Sequence, residues 1–256
     1  MRNQSVDLGC YKLTNEAYLA LRNILIGNIS SCLSLEWMAN DPDGAEKLAT
    51  AAQIKIGYKF FPDKSGVTSL GENLQEWIAA EHKRQFQTLR KSALVSACAA
   101  LENTAQSFYV EWALHDISKV KSAPSKTSKL IRHDLLLDKT ERLFRLADCF
   151  YKETQGKPFS DRIKDFVSRT VPHCSARFET DLAQIPLADL NEAFLTRNCI
   201  VHRAARVGQR LSSITKEEIG TEISLDQDRM ARMFRVLLMT GEALLKCSAL
   251  GETLSI

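Results

Sequence analysis

Proline and glycine are scarce in this chain, six and eleven among 256 residues. A many-turned β fold would need more of both, so their scarcity favours long helices. The seven cysteines, Cys10, Cys32, Cys98, Cys149, Cys174, Cys199 and Cys247, are odd in number, scattered, and never form a CxxC pair. Such spacing excludes a disulfide framework and gives no zinc pattern, so they read as reduced thiols. Long apolar runs are missing too. The best, Ala93 to Leu101, is interrupted by Ser96 and falls far short of the roughly 20 residues that cross a bilayer. Met1 to Gly9 is polar and lacks the apolar stretch of a secretory signal. A cytoplasmic protein with no membrane partner is expected. Glycine-rich dinucleotide loops and P-loops are absent, and no His/Asp/Glu cluster has metal-ligand spacing, so no metal and no cofactor is expected.

A large charge imbalance is also lacking: 34 Lys and Arg against 31 Asp and Glu leave a net charge of +3. Apolar residues make up 45% and charged residues 25%, the balance of an ordinary globular chain able to bury a full core. The distribution of charge says more than its sum. Lys119 to His133 carries Lys119, Lys121, Lys126, Lys129 and Arg132 with no acid, and Arg197 to Lys216 carries Arg197, Arg203, Arg206, Arg210 and Lys216, again with none. Each stretch reads either as a surface for a polyanion or as a solvated loop and helix end.

Helical periodicity dominates the rest, and an all-α fold is expected. Tyr18, Leu21, Leu25, Ile29 and Cys32 predict an apolar stripe on a helix from about Thr14 to Trp37. Asp41-Pro42-Asp43-Gly44 ends it; Asp43 and Glu46 then have capping-box spacing for a short helix, and Ile54 to Phe61 is open between strand and loop. Glu72 to about Ser118 is one very long helix or two with a kink, and Lys121 to Lys129 is a Ser/Lys/Pro linker. Helices follow at about Thr140 to Thr154, Ser160 to Thr170, Cys174 to Gln184 and Leu187 to Arg206. A last strong helix has Ser224 and Gln227 as its capping box and a broad apolar face running from Met230 to Leu245. An N-terminal helical segment, residues 1–70, is expected ahead of a helical domain, residues 71–256.

Within Leu187 to Arg206 the apolar positions leave room for one polar cluster, Arg197-Asn198 followed by His202. Asn198 and His202 stand four apart, on one helical face, where an amide can hold an imidazole in one tautomer. Arg197 lies five residues from His202, roughly 140° around a helix that turns about 100° per residue, so the two side chains do not simply stack. Either the guanidinium reaches round, or another element or subunit completes the site. The residue types suit phosphodiester chemistry. An imidazole, with an ordinary pKa of about 6.5, takes a proton from a ribose 2′-hydroxyl or gives one to a leaving oxygen. A guanidinium holds a phosphate bidentately and stabilises charge developing on phosphorus. On spacing alone, a lone Arg and His on one helix are usually structural, as an ion pair, a helix-end contact or a satisfied core histidine.

The string Leu190-Asn-Glu-Ala-Phe-Leu-Thr-Arg197-Asn198-Cys-Ile-Val-His202-Arg203 resembles the signature of the HEPN superfamily: an Arg, a gap of four to six residues opened by a polar residue, then a His. Here the gap is four and Asn198 opens it. The resemblance covers about Glu72 to Leu250, is nearest to the RiboL-PSP type, and implies an all-α HEPN-type helical bundle. The motif would lie on a late helix, followed by a loop and a final long helix, as over Thr215 to Leu250. It further implies a metal-independent endoribonuclease for single-stranded RNA, acting by 2′-hydroxyl attack in a homodimer whose facing motif helices make a composite cleft. His202 would be general base or acid, Arg197 the phosphate clamp and Asn198 the orienting group. Glu102, on an earlier long helix, would be an auxiliary acid. Arg203, Arg206, Arg210, Lys126 and Lys129 would contact RNA. A toxin or antiviral-defence role, with an inhibitor or antitoxin partner, belongs to the same analogy. The alternative is a non-catalytic HEPN module that binds RNA or a protein partner.

Overall fold

The computed structural model describes residues 12–40, 76–115, 139–153, 156–170 and 172–250. The Asp43 capping box, the Ile54 to Phe61 segment and the Lys121 to Lys129 linker lie outside the described residues. Eight helices are named here: α1 (Lys12–Asn40), α2 (Gln87–His115), α3 (Lys139–Glu153), α4 (Phe159–Thr170), α5 (Pro172–Ala183), α6 (Leu187–His202), α7 (Gln209–Thr215) and α8 (Gln227–Leu250). Residues 76–83 form a further helical stretch, and no strand occurs among the described residues. The fold is all-α, as composition and periodicity predict.

The stretch predicted as one long helix or two is broken. Gln85 and Phe86 both take left-handed backbone angles, φ 53° and 57°, which L-residues adopt at a cost. Two contacts hold the kink. Phe86 is buried, and the buried Glu81 carboxylate accepts from the Thr88 amide at 3.1 Å and the Thr88 hydroxyl at 2.7 Å, satisfying donors that the start of α2 would leave orphaned.

Helix α2 is the axis of the bundle and packs against α1, α3, α4, α6 and α8. Its sequence explains this position. Leu94, Ala97, Cys98, Leu101 and Ala105 are inaccessible, and from Ser107 to Ala113 every residue is buried, as expected of a helix surrounded by others. Each fully buried leucine contributes on the order of 1.5–3 kcal/mol relative to exposure. Helix α1 lies along α2 and α8, and its first turn is capped from α2: the Glu111 carboxylate accepts from the Leu13 amide at 2.5 Å and from the Thr14 hydroxyl. The inner face of α1 differs from the predicted stripe at Ile29, which is exposed. Four-residue steps from Ala17 through Leu21 to Leu25 drift by about 40° each, and a three-residue step to Asn28 brings the face back under cover.

Helix α8 crosses α1 closely. A Cβ built on Gly241 would meet Leu21 Cδ2 at 3.0 Å and Tyr18 Cδ2 at 3.1 Å, so glycine is what permits the approach. Its start differs from the predicted Ser224/Gln227 capping box. Asp226 is the cap, its carboxylate accepting from the Arg229 amide at 2.7 Å, because a short side chain directly ahead of the first turn reaches that donor best. The loop and final long helix anticipated over Thr215 to Leu250 are present, the helix being α8 from Gln227. Lys216 ends α7 in the left-handed conformation, φ 64°, and a non-helical segment with a turn at residues 219–220 runs from there to Asp226.

Candidate active site

Helix α6 carries the polar cluster, and its neighbours aim it. Leu190, Ala193, Phe194 and Cys199 bury one side, with Cys98 Sγ of α2 lying 3.9 Å from the Ala193 carbonyl oxygen. Asn191 ties α6 to α4: its amide oxygen accepts from the Ser160 amide and its nitrogen donates to the Ser160 hydroxyl, both at 3.0 Å. The Phe159 and Phe194 rings stack beside this pair. With one face fixed at several points, the opposite side chains hold a set direction.

Arg197 points toward α2. Its Nη2 donates to Glu102 Oε2 at 3.5 Å and its Nη1 to Asn198 Oδ1 at 3.0 Å, while Nε is buried with no acceptor among the described residues. Both members of the ion pair are largely covered, with side chains 24% and 21% exposed, which strengthens their attraction relative to a surface pair. Burial pushes the Glu102 carboxyl above the usual carboxylate range; the charges of Arg197 and Arg162 pull it back, and Asp148 pushes it further up. Residues of α2, α3, α4 and α6 therefore meet at this one cluster. Beneath it, the Cys98 thiol is fully buried, and burial raises it far above an ordinary thiol, which makes it an inert packing group.

His202 is the last residue of α6 and is exposed; its ring has no hydrogen-bond or ring partner among the described residues. The Asn198 oxygen is taken by Arg197. Cys199, between them, is buried and packs as a small apolar residue. The helix stops at His202 rather than running on to Arg206, because Ala204 and Ala205 both turn left-handed, φ 50° and 59°. The Ala205 amide donates back to the Cys199 carbonyl at 3.2 Å, closing the helix end.

The loop after that turn is pinned by a short ribbon. Ile223 N donates to Ala205 O at 2.8 Å, Val207 N to Thr221 O at 2.9 Å and Gly220 N to Val207 O at 2.9 Å, with Arg206 bridged to Glu222. Arg203 folds over Gly208, where a Cβ would stand 3.1 Å from its Nε. Arg206 Nη1 donates to the Gly220 carbonyl at 2.8 Å, and Arg210 is exposed on α7. The structure thus brings Glu102, Arg197 and Asn198 together and leaves His202 at the adjoining helix end. Lys126 and Lys129 lie outside the described residues.

Sequence reading missed a second set of residues. Arg229, buried on α8, donates to Glu192 of α6 at 2.8 Å, to both oxygens of Glu217 at 2.8 and 3.0 Å, and to the Ser224 carbonyl at 2.8 Å. That bridge locks the motif helix to the 217–224 segment and hence to the ribbon. No sequence signal marked it, since basic residues on a helix ordinarily read as solvated.

A helical bundle with an Arg-polar-x3-His motif on a late helix, its Arg facing an acid from the central helix, defines a class of HEPN-like domain. A family model described as RiboL-PSP-HEPN matches residues 69–228, more than half of the chain, and the chain belongs to that family. The family is commonly associated with RNA and its cleavage. No curated protein and no solved structure matches the chain. Among the described residues, no helix is long and apolar enough to cross a membrane, and no group of three or more His, Cys, Asp and Glu is placed to hold a metal ion.

Proposed function

We propose that the protein is a metal-independent endoribonuclease that cuts single-stranded RNA by 2′-hydroxyl attack. The observation that carries this reading is the division of labour on α6: a guanidinium held in place by a largely buried carboxylate, and five residues on, at the helix end, an exposed imidazole with no hydrogen-bond partner among the described residues. In the reaction the 2′-oxygen attacks phosphorus and the bond to the 5′-oxygen breaks, leaving a 2′,3′-cyclic phosphate and a 5′-hydroxyl end. His202 takes the proton from the 2′-hydroxyl or delivers one to the departing oxygen. Arg197 clamps the phosphate and offsets the charge that builds on it. Glu102 and Asn198 orient the guanidinium, and Arg203, Arg206, Arg210, Lys126 and Lys129 hold the flanking strand.

Arg197 and His202 project in different directions from one helix, so the active unit in this proposal is a homodimer with facing α6 helices, each copy supplying groups to a shared cleft. Exposed Val201 beside His202 gives that helix end an apolar patch suited to such a seam. A toxin or antiviral-defence role under an inhibitor's control accompanies this reading by family analogy.

Purified protein incubated with single-stranded RNA in EDTA tests the proposal. Wild type should yield cyclic-phosphate ends, and His202→Ala and Arg197→Ala should each lose cleavage by about two orders of magnitude or more. Equal cleavage by wild type and His202→Ala would refute it. RNA binding that survives His202→Ala, with no product from wild type, would identify a non-catalytic RNA-binding module instead.

A further inference from the structure

Two adjoining clefts run along the exposed side of α2, and neither is lined by Arg197, Asn198 or His202. One, about 450 Å³, is bordered by Arg84, Thr88, Lys91 and Glu222. The next, about 410 Å³, shares Thr88 and Lys91 and continues past Ser92 and Ser96 to Ile200. Ile200 lies one helical turn from Arg197, and Val95, which also lines the second cleft, stands seven residues before Glu102, two turns along the same face of α2 and about 10 Å away at 1.5 Å per residue. The clefts therefore form a trough leading toward the Arg197–Glu102 pair.

The charges at its far end are unevenly matched. The Lys91 ammonium donates to the Glu222 carboxylate at 2.7 Å; the Lys91 side chain is 12% exposed and that of Glu222 75%. The hydrogen bond and charge of Lys91 draw the Glu222 carboxyl below its usual range; burial opposes them, and the charges of Arg206 and Arg84 add lesser pulls in the same direction as Lys91. Lys91 is the cation in contact with this solvent-facing carboxylate, Arg84 borders the same cleft, and Arg206 is paired with Glu222 along the backbone ribbon. A carboxylate on a long, exposed side chain leaves easily, whereas Lys91 is fixed on the central helix. The Ser92 and Ser96 hydroxyls, both exposed along the same wall, suit ribose and phosphate oxygens.

We propose that this trough is a subsite for the single-stranded RNA flanking the cut, in which a backbone phosphate displaces the Glu222 carboxylate and binds Lys91, Arg84 and Arg206. The subsite rests on the ribonuclease reading of Arg197 and His202. Glu222 acts there as an internal stand-in for phosphate, keeping the cationic cluster occupied until a strand arrives. Lys91 and Arg84 are binding residues and Glu222 is a competing anion, so substitutions within the same ion pair have opposite consequences.

Fluorescence anisotropy with a labelled single-stranded RNA oligonucleotide, in EDTA and on the His202→Ala background, reads this directly over about 50–200 mM salt. Lys91→Gln should weaken binding and make the slope of log K against log salt shallower by about 0.7, the share of one phosphate on a single strand. Arg84→Ala should act in the same direction, and Glu222→Gln should tighten binding severalfold at low salt. Circular dichroism melts within a few degrees of the parent show that each variant is folded. If Lys91→Gln leaves the slope unchanged and Glu222→Gln binds no tighter, while wild-type protein still cuts RNA, the subsite is wrong and the ribonuclease reading stands. If no form binds or cuts RNA, both fall.

Discussion

Replacing Arg229 with Met probes the buried bridge that locks α6 to the segment before α8. The guanidinium makes four hydrogen bonds of 2.8–3.0 Å, three to carboxylate oxygens and one to a carbonyl, with only 9% of its side chain exposed. Methionine fills similar volume, so packing is largely kept and the change is electrostatic. It strands Glu192, itself buried, and leaves two carboxylates facing each other without a counter-charge. Breaking a buried pair by removing one partner costs about 3–5 kcal/mol. At about 2–4 °C per kcal/mol for a chain of this size, Tm should fall by roughly 6–20 °C. Urea denaturation followed by circular dichroism should show a lower midpoint with an unchanged slope. The triple variant Arg229→Met/Glu192→Gln/Glu217→Gln should recover much of the loss, because the stranded charges are gone. Acid titration adds a signature. Burial raises the Glu217 carboxyl, but the hydrogen bonds of Arg229 and Thr215 and the Arg229 charge outweigh it, so the net shift is downward. A carboxyl lowered by folding contributes stability above its ordinary value near 4.5, lost as pH falls through the folded value, and Arg229→Met should diminish that acid-side loss. A penalty under about 1 kcal/mol, or a triple variant no more stable than the single one, would refute the reasoning.

Glu102 should show the opposite pH sign. Its carboxyl is raised by burial despite Arg197, so its contribution is present in full below about 4.5 and declines as pH rises through the folded value. Glu102→Gln should therefore gain stability relative to wild type as pH is raised from about 4.5 toward neutrality, read from paired melts; a pH-independent difference would contradict this. Gly241→Leu should destabilise by about 1–3 kcal/mol, as its side chain drives α8 against Tyr18 and Leu21. Gly241→Ala should be nearly neutral, its propensity gain of about 0.5–1 kcal/mol offset by the contacts near 3.0 Å, and a strongly stabilised Leu variant would mean the helices do not meet there.

What the sequence made legible was local. The motif helix could be read because Leu187, Leu190 and Phe194 repeat at helical steps around one polar cluster, and the last helix because Met230, Met233, Phe234 and Leu237 mark a broad face. Long-range pairings carried no such signature. Glu102 and Arg197 are 95 positions apart, and only family resemblance pointed to their meeting. Lys91, next to Arg90 at the edge of an apolar run, carried no mark of a partner; the ribbon between 205–207 and 220–223 is what carries Glu222 to it. The end of α6 was misplaced because alanine is an excellent helix former, and the left-handed turn at Ala204 and Ala205 is imposed by the ribbon that follows. Helix α7, seven residues long, is too short for periodicity to reveal.

The amide of Gln87 clasps the backbone of Leu225 from both sides, donating at 3.0 Å and accepting at 2.8 Å, and Arg90 adds a third bond to the same carbonyl at 2.8 Å. The first turn of the central helix is thereby stitched to residues synthesised 138 positions later. A ribosome that has exposed α2 and the motif helix has not yet delivered the piece that secures them. Such a chain emerges with its chemistry encoded but its architecture unfinished, and the trough beside Lys91 gains its second wall only when that closing stretch arrives.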